Sequence, residues 1–253
     1  MNGAGPVVGR RARPHPMPVV PSDLPSDAPL VTWRRSARAR NVSLRIDPWA
    51  GGVVITLPPR AARSAGLDLL RDHAAWVAAR LARLPQRVPL ADGAVIPIGG
   101  VPHTLRHVPD SWRGTWIEDG QMLVSGAAEF VPRRAMDFLR LEAHRRLAAL
   151  ASVKASAAGL AVRRVVVKDT RSRWGSCTAD GTLMFSWRLI LAPPHVAEYV
   201  VAHEVAHLRH MDHGRGFWAL VADLTGHRQT ATAWLDAHGP GLMRVGMLRA
   251  MAN

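Results

Sequence analysis

The sequence predicts an α+β fold, in which a small β-rich region precedes a domain made of a long helix, a short strand meander and a second, largely apolar helix. Three observations carry this expectation. Apolar residues alternate with a period of two at Val42, Leu44 and Ile46, at Val53, Ile55 and Leu57, and again at Leu183, Phe185 and Trp187, the pattern of half-buried strands. They recur at steps of three and four over residues 70–84 and 136–150, the pattern of amphipathic helices. Hydrophobic residues make up 48% of the 253, and the mean hydropathy is -0.01, which gives a chain able to bury a sizeable core and excludes disorder throughout.

Residues 1–30 hold seven prolines, arginines at 10, 11 and 13, and no periodicity; they are expected to form a disordered Pro/Arg-rich tail. Proline and arginine stand where a signal peptide has its apolar segment, so the expected address is cytoplasmic. No apolar run nears the ~18 residues that cross a bilayer, and no membrane partner is expected. Cys177 is the only cysteine, which rules out an intrachain disulfide and a four-cysteine zinc cage. Any metal must therefore use histidine or carboxylate. The formal charge is +14, and Lys154 and Lys168 are the only lysines among 33 basic residues. Such a surface suits nucleic acid, anionic lipid or acidic protein by long-range attraction, and it also follows from solubility or from an arginine-biased genome.

In order along the chain, Val42, Leu44 and Ile46, the turn DPWAGG, and Val53, Ile55 and Leu57 predict a β-hairpin. Leu70, His73, Val77, Leu81 and Leu84 fall on one helical stripe, with His73 expected to pack in it, and Pro85 ends the helix. The short alternating runs around Leu105, Trp116-Ile117 and Met122–Val124 predict a small twisted sheet. These pieces form the expected β-rich region, 31–130, with one helix. In the expected second domain, 131–253, the set Met136, Leu139, Ala143, Leu147 and Leu150 defines a long helix with Arg140, Arg145 and Arg146 facing solvent. A strand at Val162–Lys168, a second through Arg171–Cys177 and a third through Leu183, Phe185 and Trp187 read as a meander. Pro193-Pro194 then opens the next helix, since proline is tolerated in a first helical turn.

That helix carries His203-Glu204-Val205-Ala206-His207, the pattern HExxH. Chance placement of the histidines and glutamates of this chain would produce it about 0.01 times. Four helical residues rise about 6 Å and turn about 400°, so His203 and His207 leave one face and can converge on one ion. Glu204 lies about 100° round from His203, beside the ion and not on it, where it can take a proton from water. A catalytic zinc needs a third protein ligand and an open position. His210 would continue the stripe, but histidines at i, i+4 and i+7 span about 10 Å along one axis. His213 suits better, because Gly214 and Gly216 permit the chain to leave the helix and fold back. A solvent-facing or supporting role is expected for His210. Ordinary polar residues on a buried helix would need partners that a metal supplies at once.

With these residues in view, the stretch from about Val165 to Trp218 resembles the YgjP-like family of bacterial zinc metallopeptidases, relatives of the SprT-like and WLM proteases. The likeness rests on Arg173-Trp174-Gly175-Ser176-Cys177, Gly181, Leu189, Pro193, Tyr199-Val200-Val201, the HEVAH core, His213 and Phe217-Trp218; it extends back more weakly to the hairpin at Val42. It implies a zincin-like domain with His203, His207 and His213 as zinc ligands and Glu204 as general base. Val205 stands where the family usually has leucine, an apolar exchange. The residues themselves favour structural roles for the RWGSC stretch: Trp174 packing under the HExxH helix, Gly175 in a tight backbone position, Cys177 as a small buried hydrophobe. The strand Gly181–Trp187 is expected to be the edge to which an extended peptide adds, and Phe217 and Trp218 to be core.

The reading that follows is a zinc endopeptidase of unspecified protein or peptide substrate. Its alternatives are a basic nucleic-acid-binding protein with a structural zinc, and a protease acting on DNA-associated protein.

Overall fold

A computed structural model describes residues 30–170 and 173–247; the expected tail (residues 1–29 of it) and Arg171 and Ser172 of the expected second strand lie outside the described residues. The chain divides into two units between Leu84 and Pro85. In the first, β1 (Val31–Arg35), β2 (Ser43–Asp47) and β3 (Gly52–Leu57) form a sheet of order β1-β3-β2. The predicted hairpin is β2–β3, antiparallel, with Leu44 opposite Ile55 and Ile46 opposite Val53. Asp47 Oδ1 closes its turn by accepting from the backbone N–H of Trp49 and Ala50 at 2.9 and 3.2 Å. The added strand, β1, runs parallel to β3.

Two helices, α1 (Arg63–Asp72) and α2 (Ala74–Ala82), cover this sheet, and Val31, Val53, Ile55, Leu57, Leu70 and Val77 form its core. The single predicted helix is thus broken at His73, whose φ of -111° and ψ of 16° leave the helical region. His73 is exposed and does not pack in the stripe; its Nδ1 lies 3.1 Å from the Leu69 carbonyl, at the end of the first helix. The kink explains why: Leu70 and Val77 each face the sheet from their own helix, and the residue between them turns outward.

In the second unit, β4 (Val95–Ile98), β5 (Val101–Val108), β6 (Thr115–Glu118) and β7 (Gln121–Ser125) form a sheet of order β4-β5-β7-β6, with β5 and β7 parallel. Ile96, Ile98, Leu105, Met122 and Val124 enter the same core as the long helix α3 (Val131–Ala157). The boundary between units therefore lies at residue 84 and not near 130, because this sheet has its apolar partners on the helical side. The buried face of α3 is Val131, Ala135, Leu139, Ala143, Leu147, Ala151 and Ala155, one residue in every four. Its alanines allow neighbouring elements to approach closely. Arg140, Arg145 and Arg146 are more than two-fifths exposed, as expected of solvent-facing positions. Gly159, just past the C-cap, has a φ of 64° that suits glycine, and the Leu160 N–H reaches back to the Ala155 carbonyl at 2.9 Å.

The strands that follow are β8 (Arg164–Lys168), β9 (Gly175–Cys177) and β10 (Thr182–Ser186), in the order β8-β10-β9. This is not a meander. β10 is the central strand, parallel to β8 and antiparallel to β9, so the connection after β8 crosses past the position β10 later fills. Two expectations change with it. The strand through Leu183 and Phe185 is not an edge, and Trp187 lies beyond it in a 3₁₀ turn, Trp187–Leu191.

That turn carries Arg188, which is fully buried. Its guanidinium pairs with Asp169, just after β8, and its Nε donates to the Val245 carbonyl at 3.0 Å. Burial pulls its pKa below the usual arginine value, with Asp169 acting in the opposite direction. Three helices complete the unit: α4 (Pro194–Ala206), α5 (Arg215–Leu224) and α6 (Arg228–Leu242). Lys154 ties α3 to two of them, donating to Glu198 Oε1 and to the Leu224 carbonyl, both at 2.6 Å. No helix among the described residues is long and apolar enough to cross a membrane.

Candidate metal centre

Pro194 occupies the first turn of α4, where a missing N–H costs no helical hydrogen bond. Val196, Val200, Val201, Ala202, Val205 and Ala206 bury the helix in the core, which holds its polar side chains rigidly. His203 and Glu204 stand in its last turn, and His207 is the C-cap. The chain then turns through residues 208–213, and Gly214 caps α5. This brings His203, His207 and His213 together, with one ring nitrogen from each lying within 4.8 Å of the others. The Nε2 atoms of His203 and His213 are 3.2 Å apart. His203 and His207 are half-buried and His213 is exposed, so the cluster opens to solvent on the His213 side.

Phe217 is fully buried, and its ring centroid lies 4.9, 4.5 and 4.6 Å from those of His203, His207 and His213. It is core, as expected, and it also forms the apolar backing of the three imidazoles. His213 lies in the turn before α5, so no helical spacing in the sequence links it to Phe217, and this backing contact was not legible there. Trp218 is only half-buried, 5.9 Å from His203 and 5.8 Å from His213 between ring centroids.

Two features suit the cluster to a cation. Burial first, then the neighbouring His207 and His213, push the His203 pKa down to about 4, so its imidazole is neutral near pH 7, as a metal ligand must be. The His207 Nδ1 lies 2.9 Å from the His210 carbonyl, which fixes that nitrogen as the donor and leaves Nε2 as the lone-pair atom. A three-imidazole set of this kind suits zinc. His203 Nδ1 is buried without a hydrogen-bond partner among the described residues.

His210 takes part through its backbone carbonyl, while its ring packs over Gly216, where an added Cβ would lie 2.9 Å from it. Neither Gly214 nor Gly216 adopts a positive φ. The turn to His213 therefore needs space at Gly216 and not the conformational freedom anticipated from the sequence.

Glu204 is 6% exposed and outside the imidazole cluster. Its carboxyl lies against β9: a Cβ at Gly175 would sit 2.5 Å from Oε1 and 2.6 Å from Cγ. Gly175 is the tight position the sequence suggested, and what it accommodates is this carboxyl group. Burial raises the Glu204 pKa to about 7, against the opposing charge of Arg173. Trp174 packs against α6, its indole 3.2 Å from where a Gly239 Cβ would be, and not simply beneath α4. Cys177 is half-buried and outside the cluster; burial first, then the charges of Glu204 and Asp180, push its thiol up to about 11.

The architecture is mixed α+β, and the site is one of converging histidines on and after a buried helix. Residues 40–238 match the YgjP-like metallopeptidase domain, and the chain belongs to that family, which supports a peptidase role. No curated protein matches it. Among solved structures, the metallopeptidase zymogen of Pyrococcus abyssi abylysin is similar at 20% identity over 39% of this chain and 97% of its own, with a TM-score of 0.33.

Proposed function

We propose that this protein is a zinc-dependent endopeptidase in which His203, His207 and His213 hold the metal and Glu204 is the general base. The observation that carries the reading is the convergence of three imidazoles to within 4.8 Å, with the carboxyl of the residue adjacent to one of them kept outside the set. Zinc, when bound at such a site, polarises a scissile carbonyl and acidifies water.

The remaining work falls to the chain itself. Glu204 takes the proton of the attacking water and returns it to the leaving amine, and its buried carboxyl suits both steps because neither protonation state is strongly disfavoured near neutral pH. The His210 carbonyl orients the His207 ring. Phe217 keeps water from the back of the cluster. β9 pairs with β10 on one side only among the described residues, so its outer edge replaces β10 as the edge to which an extended peptide adds, while Glu204 packs on its face at Gly175. A single cysteine suits a reducing compartment, which supports a cytoplasmic address within this reading.

The test is metal dependence. The purified protein is expected to carry about one zinc per chain, chelation to abolish cleavage of a responsive peptide, and added zinc to restore it. Cleavage that survives complete removal of metal refutes the proposal.

A further inference from the structure

Arg228 opens α6 as an exposed residue, and its guanidinium carbon lies 3.5 Å from the centroid of the Trp218 ring. Trp218 in turn flanks His203 and His213. The arginine is therefore held one indole ring away from the imidazole cluster, on the side where the cluster opens to solvent. Stacking occupies the face of a guanidinium and leaves its N–H edge free, a planar fork whose spacing matches the two oxygens of a carboxylate.

No carboxylate of the described residues pairs with Arg228. On α4, Glu198 is held by Lys154 at 2.6 Å, with the His227 ring 3.8 Å away, and the Glu204 carboxyl is turned toward Gly175. Asp212, on the loop carrying His213, turns toward Gly214. Beyond α4, Arg173 stands exposed just before β9, where its charge acts on the Glu204 carboxyl. A peptide crossing the three imidazoles thus meets cationic side chains toward both β9 and α6.

We propose that Arg228 is a specificity-determining residue: held on Trp218, it pairs with a carboxylate of the peptide close to the bond to be cleaved. The inference rests on the peptidase reading above and names its substrate class, peptides with an acidic group near the scissile bond. The carboxylate comes either from an Asp or Glu side chain or from the C-terminus of the peptide.

The experiment uses the zinc-loaded full-length chain with Glu204→Gln, so that bound peptides are not consumed. Labelled peptides with capped ends carry Glu, Gln or Lys at successive positions, and a further Gln peptide has a free C-terminus; affinities are read by fluorescence anisotropy. At one position or at the free terminus, the carboxylate peptide is expected to bind about five- to tenfold tighter than its neutral match, with the advantage shrinking as salt rises. Adding Arg228→Gln should erase the advantage, and Arg228→Glu should turn the preference toward Lys. Thermal unfolding, unchanged in both variants, shows that the exposed arginine was not removed at the expense of the fold. Equal affinities for Glu, Gln and free-terminus peptides, a preference that survives Arg228→Glu, or no binding of any peptide overturns the proposal. Cleavage of the same peptides by the unsubstituted protein is scored separately. Cleavage without charge preference removes the role of Arg228 and keeps the peptidase reading, whereas charge-selective binding without any cleavage counts against the hydrolytic reading alone.

Discussion

Gly175→Ala isolates the contact that seats the Glu204 carboxyl. Gly175 does not adopt a positive φ, so alanine meets no backbone penalty, and the whole cost comes from a Cβ placed 2.5 Å from Oε1 and 2.6 Å from Cγ of a side chain that is 6% exposed. Overpacking of this kind costs about 1–3 kcal/mol. In a Glu204→Ala background the obstructing atoms are gone, and glycine to alanine should be neutral or stabilising by up to about 1 kcal/mol through the unfolded chain. The two substitutions should therefore couple by about 2 kcal/mol. Urea unfolding of the four proteins of this cycle, at one fixed free zinc concentration, measures the coupling without any substrate. Where a peptide substrate is in hand, Gly175→Ala should also lose about a hundredfold in activity from displacement of the carboxyl by roughly 1 Å. Equal stability costs in both backgrounds, together with undiminished activity, would refute the argument that Gly175 exists to admit Glu204.

Further outcomes follow from the same site and surface. Alanine at His203, His207 or His213 should each strip most of the zinc, as measured by elemental analysis, whereas His210→Ala should keep it because only the His210 backbone carbonyl supports His207. The Cys177 thiol, pushed up to about 11, should react slowly with iodoacetamide at pH 8 and about tenfold faster per pH unit up to pH 10, read by mass spectrometry; since its folded pKa is raised, its stabilising contribution is complete below the unfolded thiol pKa and is lost as pH rises through about 11. Residues 30–84 carry ten arginines against three aspartates, and if the basic surface grips nucleic acid, the affinity should fall steeply with salt and weaken when residues 1–30 are deleted; salt-independent affinity, or none at low salt, removes nucleic acid from the account.

Local patterns were legible in the sequence where one element holds the whole signal. Alternation around DPWAGG foretold the β2–β3 hairpin, and helical spacing put His203 and His207 on one side of α4. What depended on distant partners was not legible. The order β8-β10-β9 turns on a connection that skips a neighbour, and period-two alternation reads the same in a central strand as at an edge. Arginine reads as surface, yet Arg188 is buried because Asp169 and the Val245 carbonyl, 57 residues on, arrive to satisfy it. Likewise Gly175 and Glu204 are separate features along the chain and meet only when β9 packs against α4. The stripe through His73 failed for a simpler reason: a kink resets the phase of a helix without interrupting its apolar spacing.

The central claim is that Glu204 moves a proton and does not hold the metal, and Glu204→Gln tests it most directly, because it keeps the shape of the side chain and removes its basicity. Zinc content and peptidase activity are to be measured on the same preparation. The expected result is near-normal zinc and an unchanged fold with activity reduced by at least about 10²-fold, a loss that added zinc does not repair. A glutamine variant that cleaves as fast as the unsubstituted protein, or one that loses its zinc in step with its activity, would contradict the assignment.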